Sequence, residues 1–139
     1  MKLSIKEISS LSNIIYQVHP KSIRVGGYFV RFADKINPLA NEYAPKINEL
    51  NEKMNFINGF LNQNKPKENE VKSDIYLKKE LELKELRKQL SAIHNIEIEV
   101  ELSTKDKEDV NKIIDAGFDA QLISFQYIKE YLDLSSKLN

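Results

Sequence analysis

Apolar residues in the first part of the chain recur every three or four positions, a spacing that predicts an amphipathic helix. Ser4 and Glu7 have the spacing of a capping box at its start. Pro20 marks its end, because the residue before a proline avoids helical geometry. The sequence therefore predicts a short extended segment at Met1–Leu3 and a first helix over about residues 5–18. Its apolar face comprises Ile5, Ile8, Leu11, Ile15 and Val18.

The longest apolar stripe of the chain runs from residue 29 to residue 61 in steps of three and four. It is heptad-like, with a four-residue insertion between Tyr43 and Ile47. Pro38 and Pro45 fall in this region, and a proline inside a helix costs about 3 kcal/mol. We expect a long second helix, about residues 28–61, that is bent or briefly interrupted near the prolines. The stripe comprises Phe29, Phe32, Ile36, Leu39, Tyr43, Ile47, Leu50, Met54, Ile57 and Leu61.

Residues 62–73 are polar and have no apolar period, which predicts an exposed, mobile loop. Ser73 or Asp74 can cap a third helix over about residues 75–93. Because the loop is short, the second and third helices should form an antiparallel hairpin, which we expect to be the main body of the protein. The packing face of the third helix comprises Leu83, Leu86, Leu90 and Ile93.

The period changes from helical to alternating between Ile96 and Leu102. Apolar residues there alternate with Glu97, Glu99 and Glu101, the pattern of a half-buried strand. A strand needs a partner, and the other extended candidates are Met1–Leu3 and Ser22–Val25.

Two further helices are predicted at the C-terminal end. Ser103 or Thr104 starts a short helix whose apolar residues are Val110, Ile113 and Ile114, and Gly117 is expected to stop it. Asp119 is expected to cap a final helix, and the last residues, LSSKLN, to fray. The predicted fold is a single α+β domain, residues 1–139, mostly α, with a minimal antiparallel strand pair. The core face of the final helix is predicted to comprise Leu122, Phe125, Ile128 and Leu132.

The composition excludes several classes of function. The 139 residues include 21 basic and 21 acidic side chains, so the chain lacks the basic excess of a dedicated nucleic-acid binder. The absence of cysteine excludes disulfides, thiolate nucleophiles and cysteine-based zinc sites. No apolar run is long enough to span a membrane, and the first ten residues do not form a signal peptide, so we expect a cytoplasmic protein.

The order of elements resembles that of small uncharacterised accessory proteins of phages and prophages of Gram-positive bacteria. The matching segments are MKLSIKEISSL, RFADKINPLANEYAPKINELNEK, KKELELKELRKQL leading into IEIEVEL, and AQLISFQYI. The resemblance implies an accessory protein in the host cytoplasm that blocks a host defence or assists assembly. It implies no catalytic residue.

The glycine pair Gly26-Gly27 precedes a predicted helix and is flanked by Arg24 and Arg31. Backbone N–H groups at a helix N-terminus favour anions, so this connector is a candidate site for a phosphate or a nucleotide. No phosphate-binding motif is present, however, and a hinge between two helices is the alternative interpretation.

Charge is unevenly distributed along the chain. Residues 96–139 carry 5 basic and 10 acidic groups, whereas residues 1–60 carry 8 and 5. Glu97, Glu99 and Glu101 could contact a basic partner or hold a metal, or this acidic part could pair with the basic part of the same chain. We expect no metal site, because no histidine or calcium-loop spacing accompanies these carboxylates.

Phe56 and Phe60 lie off the main apolar stripe of the second helix. They either pack against the last helix or form an apolar patch for a partner. The function we predict is therefore non-enzymatic and needs no cofactor: an anti-defence inhibitor that binds a host or phage protein. The alternatives are a protein that sequesters a nucleotide signal and a virion-assembly accessory. The heptad stripe also predicts a homo-oligomer.

Overall fold

The computed structural model describes residues 1–18, 21 and 26–138, apart from the side chains at positions 26, 28 and 29. Within that part the chain forms five helices and a two-stranded antiparallel sheet, which confirms the predicted, mostly α, α+β class. In chain order the elements are β1 (Lys2–Ser4), α1 (Ile5–Val18), α2 (Gly26–Gln63), α3 (Asp74–His94), β2 (Glu97–Glu99), α4 (Thr104–Asp119) and α5 (Phe125–Leu138).

Helix α1 has the predicted bounds and the predicted start. The backbone N–H of Ser4 donates to Glu7 Oε1 at 3.3 Å, and the N–H of Glu7 donates to Ser4 Oγ at 3.2 Å. These reciprocal bonds are a capping box. The predicted apolar face is buried, together with Ile14.

Strand β2 pairs with the N-terminal strand β1, which lies at the first of the two candidate partners, and it is shorter than the alternating pattern of Ile96–Leu102. The register places Leu3 opposite Ile98, and Leu3 is fully buried. The backbone N–H of Val100 also donates to the Met1 carbonyl at 2.8 Å. The other candidate partner, Ser22–Val25, lies outside the described residues.

Helix α2 is continuous through both prolines. Of the two predicted alternatives, a bend or a brief interruption near the prolines, the interruption is therefore wrong. A proline at position i leaves the carbonyl of residue i−4 without its helical donor. For Pro38 and Pro45 these carbonyls belong to Asp34 and Asn41, which are both exposed. Water can replace each missing donor there, so the helix continues.

The chain divides into two compact units, one comprising Met1–Glu42 and Ile96–Asn139 and the other Tyr43–Asn95. Most fully buried apolar side chains belong to the first unit, so the prediction that the hairpin is the main body is wrong. In the hairpin each helix has one other helix to pack against and so buries a single stripe. In the first unit α1 packs against β1, α4 and α5, so more apolar surface is buried there. The largest buried side chains of the first unit include Phe32, Ile8, Leu11, Ile36, Ile113 and Ile114.

The second unit is the predicted helical hairpin. Its core comprises Leu50, Ile57, Leu83 and Leu86, with Met54, Leu61, Leu90 and Ile93 partly buried around it. Ser73 caps α3, and its Oγ accepts from the Tyr76 N–H at 3.2 Å. All residues from 64 to 73 except Pro66 are exposed, as predicted for the loop.

Gly117 does not end α4 as predicted but lies inside it and is buried. A Cβ at this position would lie 2.7 Å from Ile123 Cδ1 and 3.1 Å from Val18 Cγ2. The helix ends at Asp119 with Ala120 as its C-cap, and Gln121 follows with a φ of 53°. Glycine is therefore present for close packing and not for a left-handed turn.

Helix α5 buries a different face from the one predicted. Phe125 is 90% exposed and Leu132 is 56% exposed, whereas Tyr131, Leu134 and Leu138 are buried. Asp119 is the last residue of α4 and so does not cap α5. The C-terminal residues through Leu138 are helical rather than frayed, because α5 packs against α1.

Candidate functional site

Two ion pairs connect α2 to α4 within the first unit. Arg31 donates from Nε and Nη2 to Asp109 Oδ2, the Nε contact being 2.8 Å long. One turn later, Lys35 Nζ donates to Asp106 Oδ2 at 2.6 Å. Both carboxylates are buried, whereas the side chains of Arg31 and Lys35 remain about two-fifths exposed.

Asp106 also completes the N-terminal cap of α4. Its Oδ2 accepts from the N–H and from the Oγ of Ser103, each at 2.8 Å. Burial raises the pKa of Asp106, but the Lys35 ammonium and the two Ser103 donors outweigh it and hold the pKa below its ordinary value. Asp106 is therefore charged and structural at neutral pH.

The predicted anion site at the glycine pair lies partly outside the described residues, because Arg24 does. Gly26 and Gly27 form the first turn of α2, and Gly27 is exposed with open space around it. A surface depression there is lined by Gly27, Val30, Arg31, Asp34 and Lys35. Because the Asp109 carboxylate already neutralises the Arg31 guanidinium, the electrostatic attraction of this depression for an anion is weakened.

The carboxylates of Glu97, Glu99 and Glu101 are exposed. Charged side chains on an edge strand oppose its pairing with a strand of another molecule. Glu99 Oε1 accepts from the Met1 ammonium at 2.6 Å, which lowers the pKa of Glu99. Glu97 and Glu101 are exposed on either side of it. The described residues include no group of three or more carboxylates or histidines able to hold a metal ion.

Sequence reasoning missed a polar groove of about 550 Å³ between α1 and α5. Burial raises the pKa of Glu7 here, but hydrogen bonds from Lys137 and Ser4 hold it below its ordinary value. Glu130 Oε2 is buried without a hydrogen-bond partner in the described structure. The sequence offered no signal for this groove, since it depends on which face α5 turns toward α1. Its lining residues are Ser4, Lys6, Glu7, Ser10, Gln126, Lys129, Glu130, Asp133 and Leu134.

The hairpin unit exposes large apolar side chains. Phe56 on α2 is 76% exposed, and Phe60, one turn later, is half-buried. On α3, Leu77 and Leu81 are 43% and 67% exposed. The hairpin therefore has apolar surface beyond the stripe that joins its two helices, and such surface is typical of a binding protein.

The comparisons with known proteins leave the function open. No family model, curated protein or solved structure matches the chain. The resemblance to phage accessory proteins accordingly stays a prediction. Among the described residues, no helix is both long and apolar enough to cross a bilayer.

Proposed function

We propose that the protein is a non-enzymatic accessory protein of the phage type that inhibits a host defence protein by binding it through Phe56. The observation that carries this proposal is the exposure of Phe56, a residue that is 76% open to solvent. Aromatic side chains supply much of the binding energy at protein interfaces, and an exposed one is costly in water. Phe60 follows Phe56 by one helical turn and is half-buried, so a partner can contact both rings on the same side of α2.

The polar side chains described above cap helices or form ion pairs, which favours a binding function over catalysis. Ser4 Oγ accepts a hydrogen bond at the start of α1, and Ser103 Oγ does so at the start of α4. Asp106 and Asp109 are held by cations of the same chain. The exposed Glu97 and Glu101 would favour a basic surface on the partner.

A protection assay tests the proposal directly. The protein is produced in bacterial strains that each carry one defence system, and the plating efficiency of a sensitive phage is measured. We expect the wild-type protein to raise the plating efficiency at least about tenfold on one or more strains. Phe56→Gln should lose that gain, because a loss of about 1.4 kcal/mol of binding free energy lowers the affinity for the defence protein tenfold.

Phe125→Gln is the matched control, because Phe125 is 90% exposed but lies on α5 in the other unit. It should retain the wild-type effect. Both variants should melt within a few degrees of wild type, as exposed positions contribute little to folding. An absence of protection on every strain, or full protection by Phe56→Gln, would refute the proposal.

A further inference from the structure

Helix α3 carries a second apolar stripe on the face that does not pack against α2. Successive residues of a helix are rotated by about 100°, so Leu77 and Leu81 lie about 40° apart. Leu81 lies about 160° from Leu83, which is buried in the hairpin core. Leu77 and Leu81 therefore form a pair on the outer face of α3, which explains their exposure.

The outer stripe continues in both directions with charged residues. Asp74, Leu77, Leu81, Lys84 and Lys88 follow one another at intervals of three, four, three and four, the a/d spacing of a coiled coil. Asp74, Lys84 and Lys88 are exposed. None of the ion pairs found within the described residues involves Asp74 or Lys84. The stripe thus has an acidic end, an apolar centre and a basic end.

We propose that this outer stripe of α3 binds the same stripe of a second copy of the chain in antiparallel orientation. In an antiparallel coiled coil each a position faces a d position of the partner helix. Here Leu77 of each chain faces Leu81 of the other, and Asp74 of each chain faces Lys84 of the other. One two-fold axis, midway along the stripe between Leu77 and Leu81, generates all four contacts.

The charges select this orientation over the parallel one. A parallel pair would place Asp74 against Asp74 and Lys84 against Lys84, and like charges at an interface are unfavourable. The antiparallel pair turns both contacts into ion pairs. Because the apolar part consists of two leucines per chain, we expect a weak, reversible dimer with a dissociation constant in the range of about 10–100 µM.

The long stripe of α2 is not available for the same purpose. Its residues Phe32, Ile36, Leu50 and Ile57 are buried within their own units. The sequence-based expectation of an oligomer rested on that stripe, whereas this proposal assigns association to α3. It does not depend on the inhibitory function proposed above, since Phe56 lies on a different helix.

Sedimentation velocity between about 5 and 500 µM protein tests the proposal, because that range brackets the expected dissociation constant. The wild-type chain should convert from monomer to dimer as the concentration rises. Leu77→Gln with Leu81→Gln should weaken dimerisation at least tenfold, while Phe125→Gln with Leu132→Gln, two exposed apolar positions on α5, should leave it unchanged. A wild-type chain that stays monomeric to 500 µM, or a leucine variant that dimerises normally, overturns the proposal.

Charge reversal tests the orientation. Asp74→Lys alone and Lys84→Asp alone should each weaken dimerisation, since each creates like-charged contacts across the antiparallel pair. An equimolar mixture of the two variants should dimerise again, because the heterodimer restores both ion pairs. Residues 74 and 84 of one chain lie about 15 Å apart, beyond the screening length of physiological salt. An ion pair between these two residues of the same chain therefore cannot account for the recovered dimerisation of the mixture.

A parallel pair responds differently, because each single reversal leaves it with the same number of like-charged contacts. Single variants that dimerise like wild type, or a mixture that fails to recover, would therefore overturn the antiparallel pairing. Circular dichroism of each variant checks that α3 remains helical, so that a loss of association is not a loss of structure.

Discussion

At the scale of single residues, the strongest polar contacts of the first unit serve the fold. Asp106 accepts from Lys35 and twice from Ser103, and Asp109 accepts from Arg31. Of these side chains, Arg31 belongs to the anion site that the sequence predicts. Since each buried carboxylate has a cation of the same chain beside it, the charge is already compensated, and the expectation that the acidic part pairs within the chain gains support.

Asp106 should make stability depend on pH. Its pKa is lower in the folded protein, so its stabilising contribution is complete above the unfolded value of about 3.8 and is lost as pH falls through the lower, folded value. We expect Asp106→Asn to lower the free energy of unfolding by about 1–2 kcal/mol at pH 7, because asparagine keeps the cap but loses the charge. Urea unfolding at pH 7 and at pH 2 measures both differences.

At pH 2 the variant and the wild type should differ much less, since Asp106 is then protonated in the unfolded chain and its lowered folded pKa no longer contributes its full stabilisation. Asp34→Asn is the control, because Asp34 is exposed on the same helix as Lys35. It should change stability by less than about 0.5 kcal/mol. An equal loss for Asp106→Asn at the two pH values would show that its charge does not contribute.

At the scale of elements, the glycines show how packing and helix propensity compete. Gly117 lies where α4 approaches Val18 of α1 and Ile123, and a Cβ there would be only 2.7 Å from Ile123 Cδ1. Gly59 lies within α2 with nothing within 4 Å of the same position. The two glycines should therefore respond in opposite ways to alanine.

Gly117→Ala should destabilise the protein by about 1–2 kcal/mol, because overpacking exceeds the gain in helix propensity. Gly59→Ala should stabilise the hairpin by up to about 1 kcal/mol, since only the propensity changes. Thermal and urea unfolding of both variants provide the measurement. If Gly117→Ala stabilised the protein, the close approach of α4 to Ile123 would be wrong.

At the scale of the whole molecule, burial is unequal between the two units. The hairpin of residues 43–95 has a core of four buried apolar side chains, whereas the other buried apolar side chains of the described residues belong to the first unit. Local opening requires less free energy where less apolar surface is buried. The hairpin should therefore open more often than the first unit.

Native-state hydrogen exchange tests this difference. At about 5 µM, where a weak dimer is dissociated, backbone amides of α1 and α4 should exchange at least tenfold more slowly than those of α3 after correction for intrinsic rates, a difference of about 1.4 kcal/mol. The exposed loop of residues 64–73 supplies the unprotected reference. Slower exchange in α3 than in α1 would contradict the assignment of the main core to the first unit.

The features that depend on neighbours along the chain are readable from the sequence. The capping box of Ser4 with Glu7, the caps near Ser73 and Ser103 and the alternating strand need only side chains three residues apart or a period of two. The fold class and the bounds of α1 and α3 followed from these local signals.

Long-range packing settles which apolar stripe is buried and which element covers it. Helix α5 has apolar residues on more than one face, and tertiary packing buried Tyr131, Leu134 and Leu138 and left Phe125 and Leu132 exposed. A helical period identifies an apolar face but not its partner, because burial depends on residues far away in the sequence. For the same reason the α1–α5 groove and the outer stripe of α3 became visible only in three dimensions.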